Sequence, residues 1–158
     1  MQVLFIGTYI LGAIILQTTI FARLNLFGVV PDLVLVSVII FSVLNSGRKP
    51  IVFSAAAGFL QDVVSFGMYL NTIVKVLVSV CVEIVKESFI GSEFVLSLIL
   101  VLVFTPLSLF FEAVVFVFFG IRQVAFGDLI INILSASLYN LAAVPILFPI
   151  LRKISHGK

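Results

Sequence analysis

Asp62 and Lys75 stand thirteen residues apart in AAAGFLQDVVSFGMYLNTIVK, a stretch that is otherwise mostly oily or small. An aspartate and a lysine at this spacing can form an ion pair, pass a proton or hold a charged ligand. Gln61, Asn71, Glu83, Glu112, Asn132 and Tyr139 are the further polar side chains that could face the same interior. A lone charge at the centre of a bilayer costs about 2.5–3.5 kcal/mol on insertion scales, so such groups are removed, paired or used. None of them makes a catalytic set. The single histidine, His156, lies in the tail. There is no cluster with metal-ligand spacing, no phosphate-binding glycine pattern and no G-x-S-x-G turn. We expect no enzyme, no metal and no cofactor.

The elements that must position these groups follow from composition. Of 158 residues, 63% are hydrophobic and 10% charged, and the mean hydropathy is +1.39. A soluble domain carries about 25% charged residues, so this chain could not cover a water-facing surface. We read it as an all-α integral membrane protein, a single transmembrane domain over 1–158. The net charge of +2 comes with no basic arm or acidic tail, which argues against a nucleic-acid partner. Cys81 has no second cysteine to pair with. The start, MQVLFIGTYILGAIILQTTIFARL, lacks a basic leader and a cleavage site and is expected to be a retained first span.

Six helices are expected, at about 3–22, 31–46, 50–65, 71–87, 93–119 and 128–151. Pro31 suits the first turn of the second helix. The turn NSGRKP stops that helix. With both ends inside, Arg48, Lys49, Lys86, Arg152, Lys153 and Lys158 lie on the cytoplasmic side, against Arg23 and Arg122 outside. Positive residues favour the cytoplasm, so the expected topology is N-in, C-in.

At 100° per residue the later helices carry polar or small stripes: Ser54, Gly58, Gln61 and Ser65 with Asp62 at the edge, then Thr72, Lys75, Ser79, Glu83 and Lys86, then Thr105, Ser108 and Glu112, then Asp128, Asn132, Ser135 and Tyr139. Lipid offers these groups no hydrogen bonds, so they should face the bundle interior, as helix–helix contacts or as the wall of a ligand cavity. Pro106, six residues before Glu112, can bend its helix there. Glu83 and Glu87 beside Lys86 also fit a solvated rim. The second helix is apolar nearly all round and is expected to be the most lipid-exposed. Its face Val34, Val38 and Phe41 is the candidate surface for a partner's helix. Asp62 and Lys75 flank the short turn SFGMYLN, which would place them at similar depth as a structural pin.

Three features resemble the MreD family of rod shape-determining membrane proteins. The first is Pro31-Asp32-Leu33 after a first helix with Gln17. The second is Ser54, Gly58 and Asp62 at four-residue steps, followed by Gly67 and Asn71. The third is an ending with Asn132, Pro145, Pro149 and Leu151-Arg152-Lys153. The chain departs at Ser54 and Phe59, where the family usually has glycine and leucine. The resemblance implies a non-enzymatic scaffold of the elongasome in the bacterial inner membrane, helping to control lateral peptidoglycan synthesis and rod shape. It implies a bitopic partner, MreC, and through it MreB filaments and the SEDS glycosyltransferase–transpeptidase pair. A homo-oligomer is a further partner to consider. It also implies a six-helix bundle similar to the substrate-binding components of ECF vitamin transporters. Such a component is the rival function. Those subunits carry an Ala-x-x-x-Ala pattern on the first helix, and this chain has Thr8 and Gly12 there instead.

Overall fold

The computed structural model describes residues 2–21, 23, 29–65, 69–121 and 125–155. Among them are six α-helices and no strand: α1 (Gln2–Leu16), α2 (Leu33–Leu44), α3 (Arg48–Ser65), α4 (Leu70–Glu87), α5 (Glu93–Phe118) and α6 (Phe126–Ser155). A π-helical turn, Gln17–Phe21, continues α1. Gly67, Arg122, His156 and Lys158 lie outside the described residues.

Local chemistry sets the ends. Asp32 caps α2, its Oδ1 accepting from the Leu35 N–H at 2.9 Å, and Asn45 Nδ2 donates to the Phe41 carbonyl at the other end. Pro50 sits in the first turn of α3, where the backbone N–H has no helical partner to lose. Gly47, at φ 76°, makes the turn between α2 and α3, in the left-handed region that glycine adopts without penalty. Ser92 caps α5 through the Val95 N–H. α5 contains Pro106, and α6 contains Pro145 and Pro149.

α3 packs along α4 and α5 along α6, while α2 touches α1, α3, α4, α5 and α6. α2 is thus the centre of the bundle, and every residue from Leu33 to Leu44 is buried. This overturns the expectation that the second helix faces lipid. Val34, Val38 and Phe41 are 2%, 0% and 3% exposed, so they are core residues and offer no surface to a partner. Phe41 stacks on Phe53 of α3 at 4.2 Å. An all-round apolar helix suits a protein core as well as lipid. The two serines of α2 decide between these. Ser37 Oγ lies 2.7 Å from the Tyr9 hydroxyl and Ser42 Oγ lies 2.9 Å from Ser79 Oγ, partners that lipid cannot provide.

Two helices, α5 and α6, are long and apolar enough to cross a membrane. At 12 residues, α2 rises only about 18 Å at 1.5 Å per residue. Large apolar side chains such as Leu77, Ile84, Leu102, Leu107, Leu138 and Ile146 point outward, which is the arrangement expected when the solvent is hydrocarbon.

Candidate functional site

The polar groups converge at the end of the bundle where α3 gives way to α4. Gly58 explains how those helices meet. A Cβ added at Gly58 would lie 2.6 Å from Thr72 Cα and 2.8 Å from the Asn71 carbonyl oxygen, so only a hydrogen fits between the two backbones. One turn further along α3, that close approach brings Asp62 to the start of α4. Asp62 Oδ1 accepts from the Asn71 N–H at 3.1 Å and from Asn71 Nδ2 at 3.0 Å. Its Oδ2 accepts from the Thr72 N–H at 2.8 Å and from Thr72 Oγ1 at 2.7 Å. Tyr69, the residue before α4, makes no side-chain cap. Asp62 therefore caps α4 from the neighbouring helix. It satisfies two of the N–H groups that a helix start leaves open and places a negative charge at the positive end of the helix dipole. The Gly-x-x-x-Asp spacing is a close approach followed by a cap.

Asp62 and Lys75 do not pair directly, and the expected pin is corrected accordingly. Lys75 is 1% exposed, and its Nζ donates to Asp32 Oδ2 at 3.1 Å and to Asn71 Oδ1 at 2.9 Å. With both Asp62 oxygens already taken by α4 donors, Asn71 stands between the two charges and bonds to each. Asp32 extends the chain of contacts. Its backbone N–H donates to Asn140 Oδ1 at 2.9 Å, and Asn140 Nδ2 donates to Thr105 Oγ1 at 3.0 Å. One polar ladder thus runs from Asp62 of α3 through α4, the cap of α2 and α6 to α5.

Of the interior candidates, Gln61, Asn71 and Glu112 line a cavity of about 590 Å³ beside this ladder, together with Gln17, Asp32 and Thr105. Glu83 belongs elsewhere. It sits toward the opposite end of α4, where its Oε1 accepts from the Gly47 N–H at 2.9 Å and its Oε2 lies 2.7 Å from Lys86 Nζ. Lys86 also donates to the carbonyls of Ser42 and Asn45. This cluster closes the C-terminal end of α2 and has no part in the cavity. Asn132 and Tyr139 are half-buried and do not line the cavity. The buried face of α6 is Ala136, Ser137, Asn140, Ala143, Val144, Phe148 and Leu151, rotated by about one residue from the expected stripe. Pro31 is buried beside Asp32.

Sequence reasoning missed Asn140 and the capping role of Asp32. Small or polar residues at 136, 140 and 143 carry a helical period that would have found Asn140. The link from Asp32 to Lys75 has no local signal. Among the described residues no group of His, Cys, Asp or Glu is placed to hold a metal.

The site is a saturated ladder with a polar cavity at its side, carried by a bundle whose outside is apolar. No curated protein and no solved structure matches the chain. One family model does, that of rod shape-determining protein MreD, and it matches residues 1–156, so the chain belongs to the MreD family.

Proposed function

We propose that this protein is a non-enzymatic scaffold of the bacterial elongasome that binds MreC in the inner membrane and helps to control lateral peptidoglycan synthesis. The observation that carries the reading is the family match over residues 1–156. MreC would connect it to MreB filaments and to the SEDS glycosyltransferase–transpeptidase pair. The six helices then cross the bilayer with both ends inside, supported by the excess of Lys and Arg on that side. The cavity end of the bundle faces outward, and the cluster of Glu83 and Lys86 faces the cytoplasm.

The ladder supports a structural role for the charges. Both oxygens of Asp62 accept two donors each, which holds the carboxylate in place rather than leaving it free to relay a proton. A standard interface needs about 800 Å² per partner, more than the short loops offer, so the MreC contact must use outward helix faces. It does not use α2.

Depletion of the protein in a rod-shaped cell should give round cells, and MreC should co-purify with the wild type. Retained rod shape together with no MreC in the purified complex would refute the scaffold. Submicromolar binding of a water-soluble vitamin by calorimetry would instead favour the substrate-binding subunit of an ECF-type transporter.

A further inference from the structure

The cavity beside the ladder holds one more carboxyl group than the ladder uses. Asp32 is paired with Lys75. Asp62 is closed by its donors on α4. Glu112 lines the cavity, lies within electrostatic reach of Lys75, Asp32 and Asp62, and has no hydrogen-bond or ion-pair partner among the described residues. Three carboxylates thus share one ammonium. Two amide oxygens, Gln17 Oε1 and Gln61 Oε1, are also buried without a partner, and both side chains belong to the same cavity wall. Amide ends can be turned about, but either orientation leaves a polar group of each glutamine available to an occupant. Gln17 lies in the π-helical turn that follows α1, and π-turns occur frequently at functional sites.

A half-buried carboxyl group without a partner and two buried amide oxygens without a donor cost stability in an empty protein. What relieves all three is an occupant that is positively charged and carries several N–H donors. The volume of about 590 Å³ falls within the ordinary range of small-molecule sites. The wall is divided. Asp32, Thr105, Glu112 and Asn140 are polar, while Val29, Leu70, Phe116 and Ile121 are apolar. We propose that this cavity binds a ligand bearing a protonated primary amine, with Glu112 as counter-ion and Gln17 and Gln61 as hydrogen-bond partners. A lipid headgroup or a free amine would present the same ammonium, and its recognition does not depend on the scaffold reading.

Phosphatidylethanolamine, phosphatidylcholine and phosphatidylglycerol are offered together to the purified chain, and retained lipid is read by native mass spectrometry. Ethanolamine and N-acetylethanolamine are tested separately by thermal shift. Selective retention of phosphatidylethanolamine supports the proposal with a headgroup as source. Stabilisation by ethanolamine and not by its acetylated form, without lipid selectivity, supports it with a free amine as source. In either case Glu112→Gln should lower retention or apparent affinity at least tenfold, and Gln61→Leu should lower it by less. The ligand-free Glu112→Gln protein should melt no lower than wild type, because it loses a carboxyl group without a partner and keeps its shape. The proposal is overturned if no amine probe is preferred, if Glu112→Gln binds like wild type, or if Glu112→Gln lowers the melting temperature of the ligand-free protein.

Discussion

Lys75 and Lys86 lie on the same helix, three turns apart, and each meets a carboxylate. Lys75 is 1% exposed, and its partner Asp32 is 43 residues away in sequence. Lys86 is 12% exposed, and its partner Glu83 is three residues away on the same helix. The first lysine ties α4 to the cap of α2, and that cap is held in turn by α6. The second gathers the carbonyls at the C-terminal end of α2, where a cation complements the helix dipole. The two pairs have similar chemistry in different surroundings. Asp32 and Glu83 are similarly exposed, at 26% and 27%, so the contrast lies in the lysines, and a pair with one member shut away from solvent is the costlier to break. A pair at a wet rim is cheap to break because water takes over.

Lys75→Met should therefore have the largest effect. It leaves Asp32 without its cation, and we expect a loss of about 3 kcal/mol, the low end for a broken buried pair, since Asp32 keeps some access to the cavity. Denaturation in detergent measures it. Asp32→Asn combined with Lys75→Met should cost less than the two single changes added together. Fully additive losses would show that the pair contributes no coupling. Exchanging Asp62 and Lys75 should recover nothing, because the four donors around Asp62 have no use for a lysine.

Gly58→Ala comes next, at about 1–3 kcal/mol, the usual range for forcing atoms into a packed site. The added carbon meets backbone rather than a side chain that could swing away. If melting is unchanged, α3 and α4 are not held at the distance that the cap by Asp62 requires.

The register of α6 is tested by a neighbouring pair. Asn140→Leu strands the Asp32 N–H and should cost about 1–3 kcal/mol. Tyr139→Phe should stay within about 0.5 kcal/mol of wild type. The reverse order would restore the stripe expected from sequence. The smallest effect belongs to the other end. Lys86→Ala should cost about 1 kcal/mol or less, with the loss reduced further in high salt.

The sequence marked the residues of the ladder better than it marked their partners. Gly58, Asp62 and Asn71 could be read in order because they are local, on either side of one turn. Asp62 and Lys75 stood out because charge is rare in such a chain. Sequence distance alone favours their direct pairing. It fails because α4 offers Asp62 four donors at once, and because α2 brings Asp32 to Lys75 from another part of the chain. The position of α2 was hidden for a different reason. Lipid and protein core are both apolar, so a helix of Val, Leu and Ile carries no mark of which one surrounds it. Only Ser37 and Ser42 hinted at the answer. On α6, the helical spacing from Asp128 through Asn132 and Ser135 leads to Tyr139, while the buried position is the next one along.

Asp32 has one further consequence, which concerns the order in which the protein is made. Chains emerge from the N-terminus first. The cap on α2 needs only Leu35, three residues on, so it can form as soon as α2 does. The ion pair waits for Lys75, 43 residues on. The hydrogen bond from the Asp32 backbone waits for Asn140, 108 residues on. During synthesis the negative charge is thus neutralised well before the neighbouring amide is satisfied, and the interior is completed only when α6 arrives. A nascent chain arrested between Lys75 and Asn140 would already have Asp32 paired, yet keep the Asp32 N–H open at its centre, a donor that only the last helix closes.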